Sequence, residues 1–158
     1  MVRRKTKSLQ RVIPADRLYQ SVTVQRLINK VTADGKKSLA ERLVYNAMEK
    51  AAKDLKKDPM EVLDAALKNV SPVLEVKSRR IGGATYQIPF EVKGNRQVHL
   101  ALMWLIGSAR SKKGRPFQVK LAEELVNAHN NTGEAVKKRE DAHKMAEANR
   151  AFAHLARF

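Results

Sequence analysis

Leu74-Glu75-Val76-Lys77-Ser78-Arg79-Arg80-Ile81-Gly82-Gly83-Ala84-Thr85-Tyr86-Gln87-Ile88-Pro89 sets two short runs of period two on either side of a glycine pair. Leu74, Val76 and Ser78 alternate with Glu75, Lys77 and Arg79, and Thr85-Tyr86-Gln87-Ile88 reads as a second strand. Paired glycines at the tip permit the positive φ angles of a tight hairpin turn, and Pro89 is expected to close the second strand. A β-hairpin over about 73–88 is therefore predicted. A lone hairpin is marginal in water, so it must lean on helices or on a partner. Lys77, Arg79 and Arg80 on one arm make phosphate the expected partner chemistry.

Outward from this hairpin the period changes to that of helices. Val24, Leu27, Ile28 and Val31 form one stripe, and Ala40, Leu43, Val44, Ala47, Met48, Ala51 and Leu55 a second. Asp34-Gly35 separates them as a turn, and Ser38 with Glu41 has capping-box spacing. Asp58-Pro59 predicts a third start, with Asp58 as the cap and Pro59 in the first turn. Leu63, Ala66, Leu67 and Val70 form its buried stripe before Ser71-Pro72 ends it. Beyond the hairpin, Val98 to Ile106 is apolar nearly all round, which predicts a helix buried in the middle of a bundle with Trp104 in the core. A basic loop over 109–116 follows, then a helix carrying Phe117, Leu121, Ala122, Leu125 and Val126. A last helix is expected from about 133, with Val136, Met145, Ala146 and Ala148 as its thin apolar stripe. The fold predicted is mainly α: a single-domain bundle of about six helices over 12–158, with a protruding β-hairpin between the third and fourth. Residues 1–11 read as a basic arm, too poor in apolar residues to fold alone.

Charge narrows the function. Thirty-two Lys and Arg against 16 Asp and Glu give a formal net charge of +16 on 158 residues. A compact chain with that excess repels itself, and a polyanion relieves the repulsion by exchanging its condensed counterions for Lys and Arg. Nucleic acid is thus the expected partner. No run approaches the roughly 18 apolar residues of a membrane span, and no apolar signal core opens the chain. The absence of cysteine removes disulfides, thiolate zinc sites and thiol redox chemistry.

The residues offer little catalytic chemistry. His99, His129, His143 and His154 lack metal-ligand spacing. Gly35-Lys36-Lys37-Ser38 lacks the upstream glycine of a phosphate loop. Glu123-Glu124 and Glu140-Asp141 are expected on polar helix faces, unsuited to act as an acid and base pair. No enzyme activity, cofactor, metal or small-molecule substrate is expected. Aromatic residues are only 5% of the chain, too few for an interleaved base-stacking platform. Folded RNA, read through its shape, phosphates and 2′-hydroxyls, is the better target. For Tyr86, stacking on a base and packing against the hairpin's other arm both remain open.

Three segments carry a family resemblance. They are Asp34-Gly35-Lys36-Lys37, then Ser78 to Pro89 as quoted above, and Ala135-Val136-Lys137-Lys138-Arg139-Glu140-Asp141 leading into Lys144 to His154. In this order they resemble the universal ribosomal protein seven family, bacterial type, from about Pro14 to Phe158. The arm before Pro14 and the ending His154-Leu155-Ala156-Arg157-Phe158 depart from the family's pattern. The resemblance implies a small-subunit structural protein that binds the 3′ major domain of 16S-type rRNA and nucleates assembly of the head. It also implies a place at the subunit interface near the exit-site tRNA and beside ribosomal protein eleven, on a cytoplasmic or organellar ribosome.

The rRNA-binding residues expected from charge and resemblance together are Arg3, Arg4, Lys5, Lys7 and Arg11 in the arm, and Lys36 and Lys37 after the first turn. The hairpin adds Lys77, Arg79 and Arg80. Arg96, Arg110, Lys112, Lys113, Arg115 and Lys120 flank the fourth and fifth helices, and Lys137, Lys138 and Arg139 open the last. Those expected near tRNA are Arg79, Gly82, Gly83, Ala84, Tyr86, Arg150 and His154. The rival reading is a DNA-bending architectural protein gripping a minor groove with a basic β-ribbon arm. Gly82-Gly83 argues against it, because such arms insert an apolar wedge.

Overall fold

The computed structural model describes residues 12–157, so the expected arm over 1–11 lies outside the described residues. Helices α1 (Val22–Val31), α2 (Lys37–Leu55) and α3 (Pro59–Val70) precede strands β1 (Leu74–Ile81) and β2 (Ala84–Glu91). Helices α4 (Asn95–Ser111), α5 (Phe117–His129) and α6 (Glu134–Ala148) follow, and a 3-10 helix spans Arg150–Arg157. Among the described residues this is the predicted bundle of six α-helices with a hairpin between the third and fourth.

The periodic stripes are the core. Val24, Leu27 and Ile28 of α1, Val44, Ala47 and Met48 of α2, and Leu63, Ala66 and Val70 of α3 are all buried. Each recurs at three or four residues, so one face of each helix is withdrawn from water. Leu121, Ala122, Leu125 and Ala128 line α5, which packs on α2, α3, α4 and α6. The structure therefore puts α5 at the centre rather than the apolar run of α4. On α4 only Ala101, Leu102, Leu105, Ile106, Ser108 and Ala109 are buried, whereas Met103 is half exposed and Trp104 half-buried. An uninterrupted apolar run marks every face alike and cannot say which flank neighbours cover.

Helix ends follow local chemistry in one case and depart from it in others. The Asp58 side chain accepts from the Met60 N–H at 2.9 Å, with Pro59 at the first helical position. Ser38 is no cap, for α2 already begins at Lys37 and no side chain caps it. The expected basic loop is shorter, because α4 continues through Arg110 to Ser111. The last helix also stops early, at Ala148. Asn149 Nδ2 donates to the Met145 carbonyl at 2.8 Å, and the chain turns into the 3-10 segment. Met145 and Ala148 are exposed, so the buried stripe of α6 shrinks to Ala135, Val136 and Ala146.

Hairpin register explains how a proline sits inside β2. Ile81 pairs with Ala84 across Gly82-Gly83, whose φ angles are +57° and +90°. In a two-residue hairpin the pair flanking the turn is hydrogen-bonded and every second pair after it is as well. The Val92 N–H donates to the Val73 carbonyl at 2.8 Å, in phase with that alternation. Val76↔Pro89 then falls at a pair that exchanges no hydrogen bonds, where a missing N–H costs nothing. Pro89 therefore does not end the strand, which runs to Glu91.

Asp16 anchors the segment leading into α1. Its carboxylate is 3% exposed and accepts from the N–H groups of Leu18 (3.1 Å), Tyr19 (2.8 Å) and Ser21 (2.8 Å), and from the Tyr45 hydroxyl (3.2 Å). Burial pushes its acidity toward higher pH, but these donors outweigh burial and hold its pKa below the usual 3.8. A depressed pKa contributes stability that is present above pH 4 and lost as pH falls through the folded value. Asp16→Asn is expected to lower unfolding free energy by about 2 kcal/mol at neutral pH. The gap to the parent should narrow below about pH 4. Denaturant titrations at several pH values check this, and a gap independent of pH would refute it.

Candidate nucleic-acid interface

Successive side chains of a strand point to opposite faces, so Arg79 and Arg80 cannot act as one patch. Arg79 shares a face with Lys77, Tyr86 and Phe90. The Lys77 amine lies 5.3 Å and the Arg79 guanidinium 5.6 Å from the centre of the Phe90 ring. Arg80 faces the other way, opposite Thr85. Both arginines are exposed, and neither pairs with a described acid.

The root of the hairpin is built into the protein. Ile88 is wholly buried, Glu75 pairs with Lys77 (2.9 Å) and Arg96 (3.0 Å), and His143 Nε2 of α6 accepts from the Val73 N–H at 3.0 Å. Burial raises the Glu75 pKa, but bonds and charge from Lys77 and Arg96 bring it below its usual value. Tyr86, the cross-strand partner of Arg79 on the hairpin's other arm, also packs on Phe152 of the 3-10 helix, ring centres 5.4 Å apart. The expected cluster of Arg79, Gly82, Gly83, Ala84, Tyr86, Arg150 and His154 is thus brought together in part: one hairpin face leans on the segment that carries Arg150 and His154.

Elsewhere the structure divides the predicted cations into two kinds. Arg110 Nη2 donates to the Val31 carbonyl at 3.2 Å, closing the C-terminal end of α1. Lys120 donates to the Lys112 carbonyl at 2.7 Å, and Arg139 donates to the Asn69 carbonyl at the end of α3. Lys112 Nζ lies 2.7 Å from Glu124 Oε2, whose residue is fully buried. That contact is an ion pair without hydrogen-bond alignment, since Oε2 has no hydrogen-bond donor. Arg115 pairs with Glu123, and Lys37 lies 4.0 Å from Glu41. The carbonyl-bonded side chains and Lys112 brace the scaffold, whereas the Arg115 and Lys37 pairs lie exposed on its surface. Lys36, Lys113, Lys137 and Lys138, with Arg79 and Arg80, are exposed and pair with no described acid. The arm residues Arg3, Arg4, Lys5, Lys7 and Arg11 lie outside the described residues.

Glu124 overturns its expected place on a polar helix face. Its Oε1 accepts from the Ala135 N–H at 3.0 Å, so a side chain of α5 satisfies the N-terminal turn of α6. Gly133, at φ +94°, leaves the room required: a Cβ there would stand 3.1 Å from Oε1 and 3.0 Å from Asn127 Cβ.

One basic site escaped the sequence reading. Arg26, Asn29 and Lys30 of α1 face Asn95 and His99 of α4 across a groove. Arg26 Nη1 donates to Asn95 Oδ1 at 2.9 Å, and Lys30 Nζ lies 3.0 Å from His99 Nδ1. These residues are 69 positions apart in sequence, and only their helix phases, Arg26 and Lys30 being four apart, hinted at a shared face.

Among the described residues no group of three or more His, Cys, Asp or Glu is placed to hold a metal, and no helix is long and apolar enough to cross a membrane. Residues 3–150 match the family model described as Ribosomal protein S7p/S5e. Small ribosomal subunit protein uS7 of Thermosipho africanus is 59% identical over 145 residues, covering 92% of this chain and 94% of that one. The uS7 proteins of Chloroflexus aggregans (57% over 147 residues; 93% and 94%) and Thermotoga neapolitana (55% over 151; 96% and 97%) are similar. With a family model spanning nearly the whole chain and relatives above half identity, this chain belongs to the ribosomal protein S7p/S5e family, whose members are structural proteins and not enzymes.

Proposed function

We propose that the chain is a primary rRNA-binding protein of the small ribosomal subunit on the cytoplasmic ribosome. It seats on the 3′ major domain of 16S-type rRNA, nucleates the head, and turns its hairpin and C-terminal segment toward exit-site tRNA and ribosomal protein eleven. The observation that carries this reading is the division of cations. Internally bonded ones fix the helices, while Arg79, Arg80, Lys36, Lys113, Lys137 and Lys138 remain exposed on several elements of that rigid frame. Cations on many sides suit the phosphate contour of a folded RNA junction. The two exposed glycines at the tip present no apolar wedge, which disfavours DNA bending.

Footprinting tests the target: protection at one junction of the small-subunit rRNA is expected, and an equal mass of duplex DNA should not compete for it. Equal grip on random duplexes would overturn the proposal. A trimmed hairpin tests the route. Excising 78–87 and closing Lys77 to Ile88 with Asn-Gly preserves the hydrogen-bonded phase and the buried Ile88. Helical circular dichroism should be unchanged, and affinity for the rRNA fragment should drop at least about tenfold, since one charge-assisted contact supplies about 1.5 kcal/mol. Unchanged affinity would remove the tip from the interface.

A further inference from the structure

The groove between α1 and α4 combines cations whose side chains reach neutral partners across it and pair with no described acid. Its lining includes Arg26, Lys30 and His99 and, among the described residues, no acid. A lysine ammonium can only donate, so the 3.0 Å contact makes His99 Nδ1 the acceptor and leaves the ring neutral with its hydrogen on Nε2. We infer that this groove seats an RNA backbone phosphate, and that His99 takes up a proton as the phosphate enters.

The charges around the ring determine the direction. From α1 come Lys30 and Arg26, and from α4 comes Arg96, whose guanidinium is shared with Glu75 of the hairpin. Burial first, then Lys30 and Arg96, hold His99 below the usual imidazole range, and burial with Arg96 lowers Lys30 likewise. Without an anion the site is therefore short of protons. A phosphate oxygen draws the Lys30 ammonium off Nδ1, and the added negative charge favours a cationic ring. Nδ1 then gains one proton from solvent, with no other bond made or broken. Arg110, bonded to the carbonyls of Lys30 and Val31, holds the end of α1 against α4, so the groove is preformed.

This inference rests on the RNA-binding reading, and the experiment separates the two. Affinity for a 3′ major-domain rRNA fragment is measured from about pH 5.5 to 8.5 at constant salt for the parent and for His99→Gln. His129, His143 and His154 are present in both proteins, so their titration cancels. The parent should lose about tenfold more affinity than the variant across that range, as one unit of pKa change requires. Calorimetry in buffers of different ionisation enthalpy should show proton uptake by the parent that the variant lacks. Parallel pH profiles with equal uptake would overturn the inference while leaving the RNA reading intact. Failure of both proteins to bind the fragment at any pH would overturn the reading and the inference together.

Discussion

Raising monovalent salt from about 50 to 200 mM is expected to weaken binding to the 3′ major-domain rRNA by three to four orders of magnitude. Each phosphate neutralised by Lys or Arg releases condensed counterions, and about 8 such contacts give a log-log slope of roughly −6. The structure restricts which cations contribute. Arg110, Lys112, Lys120 and Arg139 are bonded to carbonyls or a buried carboxylate and are not free to exchange partners cheaply. Among the cations expected to bind, the slope is then expected from Lys36, Arg79, Arg80, Lys113, Lys137 and Lys138, with the arm cations and the α1/α4 groove. Filter binding or fluorescence anisotropy across a salt series measures it. A slope shallower than about −2 would mean that shape and packing carry recognition, and the electrostatic account would be abandoned.

Replacing Glu124 with Ala should be the most damaging single change to the scaffold. It leaves the Lys112 ammonium, itself only 26% exposed, without its counter-charge, and the Ala135 N–H without its acceptor. Breaking a buried pair from one side costs about 3–5 kcal/mol. In a domain of this length that corresponds to a fall in melting temperature of about 10 °C. Lys113→Ala, one residue from Lys112 but exposed and unpaired among the described residues, should melt with the parent and lose RNA affinity instead. Thermal circular dichroism on both variants separates brace from interface. If Glu124→Ala melted with the parent, α6 would owe nothing to this contact.

Amino-acid sequence by itself determined the element order of this protein. Burial faces of α1, α2 and α3 were readable because a helix folds its pattern into one stripe every 3.6 residues. Asp58-Pro59 and Gly82-Gly83 were readable because caps and tight turns are satisfied by residues adjacent in the chain. The family was legible for the same reason, in contiguous segments such as Ser78 to Pro89.

Only the tertiary structure decided which cations face outward. Lys112 and Lys113 are neighbours with the same charge, yet one meets Glu124 from the next helix and the other meets solvent. Lys30 and His99 lie 69 residues apart and become a site only when α1 docks on α4. The physical reason is range: propensities and turns act over a few residues, whereas a charge finds its partner across a packed interface whose geometry no local pattern specifies.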